Sequence, residues 1–225
     1  MREVVFDTET TGLSSESDRV VEIGCVELED LLPTGRTFHV HINPQRDVPA
    51  GAVKVHGLTY DFLKTKPTFR RVASKFLDFI QGARLVAHNA SFDTRMINAE
   101  LSRLGLPPLE NEIIDTLPLV RKLRKGKATL DAACQHFGID NSKRTLHGAL
   151  LDSEILAEVY LHLRGGRQHA MSLKVDEVVI EEVRHVYGPR TIIRRGSDEE
   201  RADHAAFIAS IKSAIWTRYS DEPSA

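Results

Sequence analysis

The sequence predicts an α/β protein: a central mixed five-stranded sheet with flanking helices, followed by a C-terminal extension. Three observations predict it. Apolar residues fall at strand spacing up to residue 42. From Phe69 onward they recur at three and four, with short apolar runs between. After Gly165-Gly166 that pattern stops. Strands followed by alternating helix and strand give an α/β sheet whose first strands form an antiparallel meander.

Val4-Val5-Phe6 is a buried strand that ends in acids. Residues 19–28 are rich in Val and Ile, and Phe38, Val40 and Ile42 alternate with His39 and His41. Pro44, Pro49 and Gly51 mark a loop. Phe69, Val72, Ala73, Phe76, Phe79 and Ile80 form one helical stripe after Pro67-Thr68. Leu85-Val86-Ala87 is the fourth strand, 92–104 a helix ending near Gly105, and Ile113-Ile114 the fifth strand. Helices at 117–123, 129–137 and 148–163 follow. In the extension, Thr191-Ile192-Ile193 reads as a short strand. Ser197 and Glu200 fit a capping box, and Phe207, Ile208, Ile211, Ala214 and Ile215 make a helical stripe. The expected organisation is a core domain over 1–164, a linker over 165–186 and a C-terminal segment over 187–225.

Thirty basic and 32 acidic residues leave a net charge of −2, so the total carries no basic footprint of a nucleic-acid binder. No run approaches the ~20 apolar residues of a membrane span, which argues against a membrane. The start lacks a secretory signal pattern. Two cysteines, Cys25 and Cys134, imply neither a disulfide framework nor a zinc motif, and the expected location is the cytoplasm.

The informative residues are acids in apolar surroundings. Asp7 and Glu9 stand two apart on the continuation of a buried strand, so both point to one face. Such a pair is either a solvated turn or a binding place for a hard divalent ion, Mg²⁺ or Mn²⁺. Asp93 shares a helical stripe with Met96, Ile97 and Leu101, as a ligand or as an N-cap. Asp152 lies on the stripe of Ile155, Leu156 and Val159, with no Lys or Arg three or four residues away. Metal ligation is favoured there over a local ion pair. His147 precedes Asp152 by five residues, about 140° around a helix. It therefore suits the helix entrance, after Lys143-Arg144-Thr145, as a surface His or as a base of ordinary pKa near 6.5. Asp115 and Asp131 read as turn or capping residues. His39, His41, His136 and His162 show no metal-ligand spacing.

Three ordered segments then carry a resemblance. Val5-Phe6-Asp7-Thr8-Glu9-Thr10-Thr11-Gly12-Leu13, His88-Asn89-Ala90-Ser91-Phe92-Asp93 and His147-Gly148-Ala149-Leu150-Leu151-Asp152 resemble the three motifs of the DEDDh 3′–5′ exonucleases. Residues 18–24 and Val55-His56-Gly57-Leu58-Thr59 fit the intervening pattern. The resemblance is nearest to the epsilon proofreading group of bacterial DNA polymerase III.

That resemblance implies a ribonuclease-H-like exonuclease fold. It also implies two divalent ions, Mg²⁺ or Mn²⁺, held by Asp7, Glu9, Asp93 and Asp152, with His147 as general base. His56 and Asn89 would contact the terminal nucleotide, with Leu13 and Phe92 packing on its sugar or base. Some relatives carry a substrate-binding Glu where this chain has Gly51. Gln168, Met171 and Leu173 resemble a sliding-clamp-binding motif, which inserts apolar side chains into a groove. The implied partners are a DNA 3′ end, the polymerase catalytic (alpha) subunit, the sliding clamp and a small theta-like subunit. Two other functions stand beside this one: an RNA 3′-end-trimming exonuclease, and a replicase-stabilising subunit that does not cut.

Overall fold

A computed structural model describes residues 1–123, 126–142, 144, 146–165 and 196–211. The chain divides into two units, Met1–Ser172 and Leu173–Ala225. In the first, β1 (Arg2–Thr10), β2 (Val20–Glu29), β3 (Leu32–His41), β4 (Arg84–Ala87) and β5 (Ile113–Asp115) form a sheet in the order β3-β2-β1-β4-β5. β1–β2 and β2–β3 pair antiparallel, β1–β4 and β4–β5 parallel. The expected mixed five-stranded sheet and its initial meander are both present.

Strand alternation sorts the core into two layers. Val4 and Phe6 of β1, with Ile23 and Cys25 of β2, pack against α3 (Phe69–Ile80) and α4 (Ala90–Arg103). Val5, Val26 and Leu28 face α6 (Leu130–Phe137) and α7 (Ala149–Leu163) on the other side. The α3 stripe is buried as its spacing predicts, except that Phe79 is only half-buried at its edge. α4 starts at Ala90, two residues before the expected position, because Asn89 takes a left-handed conformation at φ 66° and turns the chain straight into the helix.

Two short helices, α1 (Ala50–His56) and α2 (Tyr60–Leu63), occupy the stretch after the Pro-rich loop. They are too short for periodicity to reveal. α5 (Thr116–Leu123) follows β5 directly. β3 begins at Leu32, earlier than its apolar alternation, because its first residues are an exposed sheet edge.

One register detail opens the molecule. β1 pairs with β4 only over Glu3, Val4 and Val5, whereas its pairing with β2 runs on to Thr10. The C-terminal end of β1 is therefore free on one side, which makes a crevice at the strand ends, where α/β sheets bind ligands.

In the second unit, α8 (Asp198–Ser210) has the expected capping box: Glu200 N–H donates to Ser197 Oγ and Ser197 N–H to Glu200 Oε2. None of its residues is buried. The expected strand at 191–193, the linker, the clamp-like residues Gln168, Met171 and Leu173, and Ala214 and Ile215 lie outside the described residues.

Candidate active site

Three elements bring four acids to the crevice. Asp7 and Glu9 arrive on β1, on the face turned toward α7. Asp93 comes from the opposite layer, in the first turn of α4. It fits over the free edge of β1, where the Thr8 N–H (3.0 Å) and hydroxyl (2.6 Å) both donate to its Oδ1. Asp152 sits in the first turn of α7. That helix approaches β2 closely enough that a Cβ on Gly24 would lie 2.2 Å from the Ala149 carbonyl carbon. Ser153 Oγ also donates to the Gly24 carbonyl at 2.9 Å.

The acids crowd one another. Burial raises the pKa of Asp7 well above the usual carboxylate range, and the charges of Asp93, Glu9 and Asp152 add to the shift. Burial, then Asp152 and Glu22, push Glu9 up to about 8. Burial raises Asp93 to about 7 against the opposing Thr8 hydrogen bonds. Among the described residues no Lys or Arg is ion-paired with Asp7 or Glu9. An all-oxygen cluster that cannot stay ionised alone is the donor set of a hard divalent cation.

Asp152 does have a cation, which helix spacing could not reveal. Arg144, eight residues earlier, grips both its oxygens, Nε to Oδ1 at 2.5 Å and Nη2 to Oδ2 at 2.7 Å. Arg144 also pairs with Asp131 at 2.8 Å. The helix itself supplies no cation to Asp152, as its spacing predicts; the ion pair comes from the preceding loop.

His147 stands just before α7, outside the helix as expected, with its N–H held by the Val55 carbonyl at 3.0 Å. Its Nδ1 lies 3.2 Å from Asp152 Oδ2 and takes a 2.7 Å hydrogen bond from Arg144. Its ring is exposed and accessible to a substrate.

Asp7, Glu9, Asp93, Asp152 and His147 line one cleft of about 600 Å³, together with Asn89 and Phe92. Leu13 and His56 line an adjoining, more apolar cleft of about 560 Å³, which shares Glu9 and Phe92 with the first. Leu13 is 79% exposed. The His56 ring is buried, with Nδ1 accepting from Leu58 N–H at 3.0 Å and Nε2 3.3 Å from the Thr10 carbonyl. Burial lowers its pKa. Asp115 accepts from the Asn89 and Leu117 N–H groups, a turn residue as read from sequence.

Sequence reasoning missed Thr8, Gly24 and Arg144. It also set aside His39 and His41 for want of metal-ligand spacing; the structure brings both beside Glu22 of the neighbouring strand, with one donor atom of each within 4.8 Å of the others. Spacing along one strand cannot show a third donor supplied across the sheet.

A family profile described as Exonuclease (RNase_T) matches residues 4–160. The DNA polymerase III subunit epsilon of Rickettsia felis is 42% identical over 94% of this chain and 97% of its own length. That of Escherichia coli K12 is 41% identical over 96% and 97%. Exonuclease X, solved in complex with 5′ overhanging duplex DNA, is 28% identical with a TM-score of 0.57, over 71% of this chain and 89% of that one. The nuclease domain of 3′hExo, a DEDDh family member bound to rAMP, is 20% identical with a TM-score of 0.63, over 72% and 91%. The expected ribonuclease-H-like exonuclease fold is borne out.

Proposed function

We propose, from the premise that this chain belongs to the RNase_T exonuclease family and is a 3′–5′ exonuclease of the DNA polymerase III epsilon type, that it proofreads within a replicative polymerase by removing mispaired 3′-terminal nucleotides. The observation that carries the reading is the convergence of Asp7, Glu9, Asp93, Asp152 and His147 in one cleft.

The family is divalent-metal dependent, and the acidic cluster fits such an ion. In this reading the four carboxylates hold two ions, Mg²⁺ or Mn²⁺. When bound, these supply positive charge against the phosphate and the leaving 3′ oxygen, and lower the pKa of the attacking water. His147 takes that water's proton. Its Nδ1 lone pair is engaged by Arg144 in this structure, so Arg144 must release the ring and Asp152 for the site to act. Phe92, at the wall between the two clefts, stacks on the terminal nucleotide, with Leu13 and His56 beneath it and Asn89 at the rim. Both His56 ring nitrogens are engaged within the protein, so it offers the substrate a packed ring. A frayed mismatch costs less to unstack into such a site than a paired end.

Partners follow the same reading: the alpha subunit through the C-terminal segment, the sliding clamp through Gln168, Met171 and Leu173, and a theta-like subunit. Among the described residues no helix is long and apolar enough to cross a membrane. Like the relatives' names, the motif supports a replicase role over RNA trimming.

The test is a primer with a mispaired 3′ end, incubated with Mg²⁺, alongside single-stranded RNA. DNA shortening that a chelator stops and Asp7→Ala abolishes is expected. A fully active Asp7→Ala protein overturns the site, and a clear RNA preference overturns the substrate.

A further inference from the structure

Among the described residues, one more group of side chains outside the nuclease cluster has metal-ligand chemistry. On β3, Phe38 and Val40 turn toward the α3–α4 layer, which leaves His39 and His41 together on the opposite face. β2 places Glu22 directly opposite His41 and Gly24 opposite His39. Because Gly24 has no side chain, the His39 ring can lean toward Glu22. Its Nε2 lies 2.6 Å from Glu22 Oε1, and His41 Nε2 lies 3.6 Å from the same oxygen. All three donor atoms fall within 4.8 Å of one another.

We propose that Glu22, His39 and His41 form a separate binding site for a borderline transition-metal ion of the Zn²⁺ class.

Two imidazoles and one carboxylate are a donor set of three-ligand zinc centres, which keep a fourth position for water. Imidazole nitrogen also discriminates against Mg²⁺, which takes oxygen. Tetrahedral bonds of about 2.0–2.1 Å put donor atoms roughly 3.4 Å apart. The His41–Glu22 separation is already close to that, and the His39–Glu22 contact needs to open by less than about 1 Å.

The surroundings suit the role. The Glu22 side chain is 6% exposed, whereas His39 and His41 are 35% and 26% exposed. The carboxylate is thus the floor, and solvent reaches the imidazoles. The His41 ring is set edge-on against Phe62, with centroids 5.1 Å apart, and against His39 at 4.8 Å. Glu22 is also the register partner of Glu9, so a cation here would sit one strand away from the nuclease acids.

Co²⁺, then Zn²⁺, is the probe. The full-length chain, stripped with chelator and held in excess Mg²⁺, is titrated as wild type and as His39→Gln/His41→Gln. Both are repeated with Asp152→Asn, which weakens binding at the nuclease cluster. In each background the histidine pair should account for one equivalent of Co²⁺ with visible ligand-field absorption that Zn²⁺ bleaches. The double variant should retain Mg²⁺-dependent nuclease activity. Equal Co²⁺ stoichiometry and spectra with and without the histidines overturn the site and leave a hydrogen-bonded cross-strand contact. If the double variant does not fold, His41→Gln alone decides: Co²⁺ affinity reduced at least about tenfold supports the site, and unchanged affinity overturns it.

Discussion

The two ends of β1 bury carboxylates in opposite ways. At its start, Glu3 is 1% exposed and fully served: Arg84 Nη2 lies 2.5 Å from Oε1, and the Tyr160 hydroxyl donates to it at 2.9 Å. At its far end Asp7 and Glu9 face two further acids, and the cluster's nearest cation, Arg144, is bound to Asp152 instead. One helix serves both ends, with Asp152 in the first turn of α7 and Tyr160 near its last. Glu100 repeats the closed arrangement, gripped by Arg19 at 2.7 and 2.9 Å. A buried acid is thus no mark of a functional site. What distinguishes one is negative charge that the chain itself leaves without a counter-ion.

The sharpest break of that contrast is Asp7→Asn. It should lower exonuclease turnover by at least ~1,000-fold, because bound metal supplies several kcal/mol of charge stabilisation, while the melting temperature holds or rises. A fall in melting temperature would place Asp7 in the structural class with Glu3. The mirror substitution, Glu3→Gln, takes away the buried charge opposite the Arg84 guanidinium and leaves it only the exposed Glu112 at 3.9 Å. It should cost about 3 kcal/mol of stability and leave the folded enzyme's activity intact; denaturant unfolding against single-turnover cleavage separates the two effects.

Acidity sharpens the comparison further. Unfolded carboxylates ionise near pH 4, whereas Glu9 and Asp93 in the fold hold their protons up to about 8 and 7. Between those limits the folded state binds more protons, so stability falls as pH rises. Thermal melts in chelator should therefore drop by a few degrees or more between about pH 5 and 8, and saturating Mg²⁺ should flatten the trend. A chelated protein that melts independently of pH would remove the charge-crowding argument.

The smallest effect concerns Arg144. In the proposed mechanism metal displaces it from Asp152, so Arg144→Met should tighten Mn²⁺ binding by about tenfold, or ~1.4 kcal/mol. Calorimetric titration reads this directly, and unchanged affinity would show that Arg144 and the ion do not compete.

The acids were legible in the sequence because each stands where a local pattern demands an apolar residue. Asp7 and Glu9 continue a buried strand, and Asp93 and Asp152 sit on helical stripes. What supports them was not legible. Thr8 reaches Asp93 from the other face of β1, Arg144 reaches Asp152 from a loop, and Glu22 meets two histidines across a strand pairing. Each depends on register or loop path, which local spacing does not encode. The same limit hid α1 and α2, whose seven and four residues give periodicity too little length.

Gly24 has one further consequence. Backbone rests on backbone there, because α7 lies against β2 with no side chain between them. No rotamer change can loosen that contact. Asp7 and Glu9 on the sheet and Asp152 on α7 are consequently tied through a backbone contact, whereas Asp93 of α4 is tied to β1 through Thr8. Asp152 can part from the strand acids only when α7 leaves the sheet, so on heating that pairing disappears with the fold.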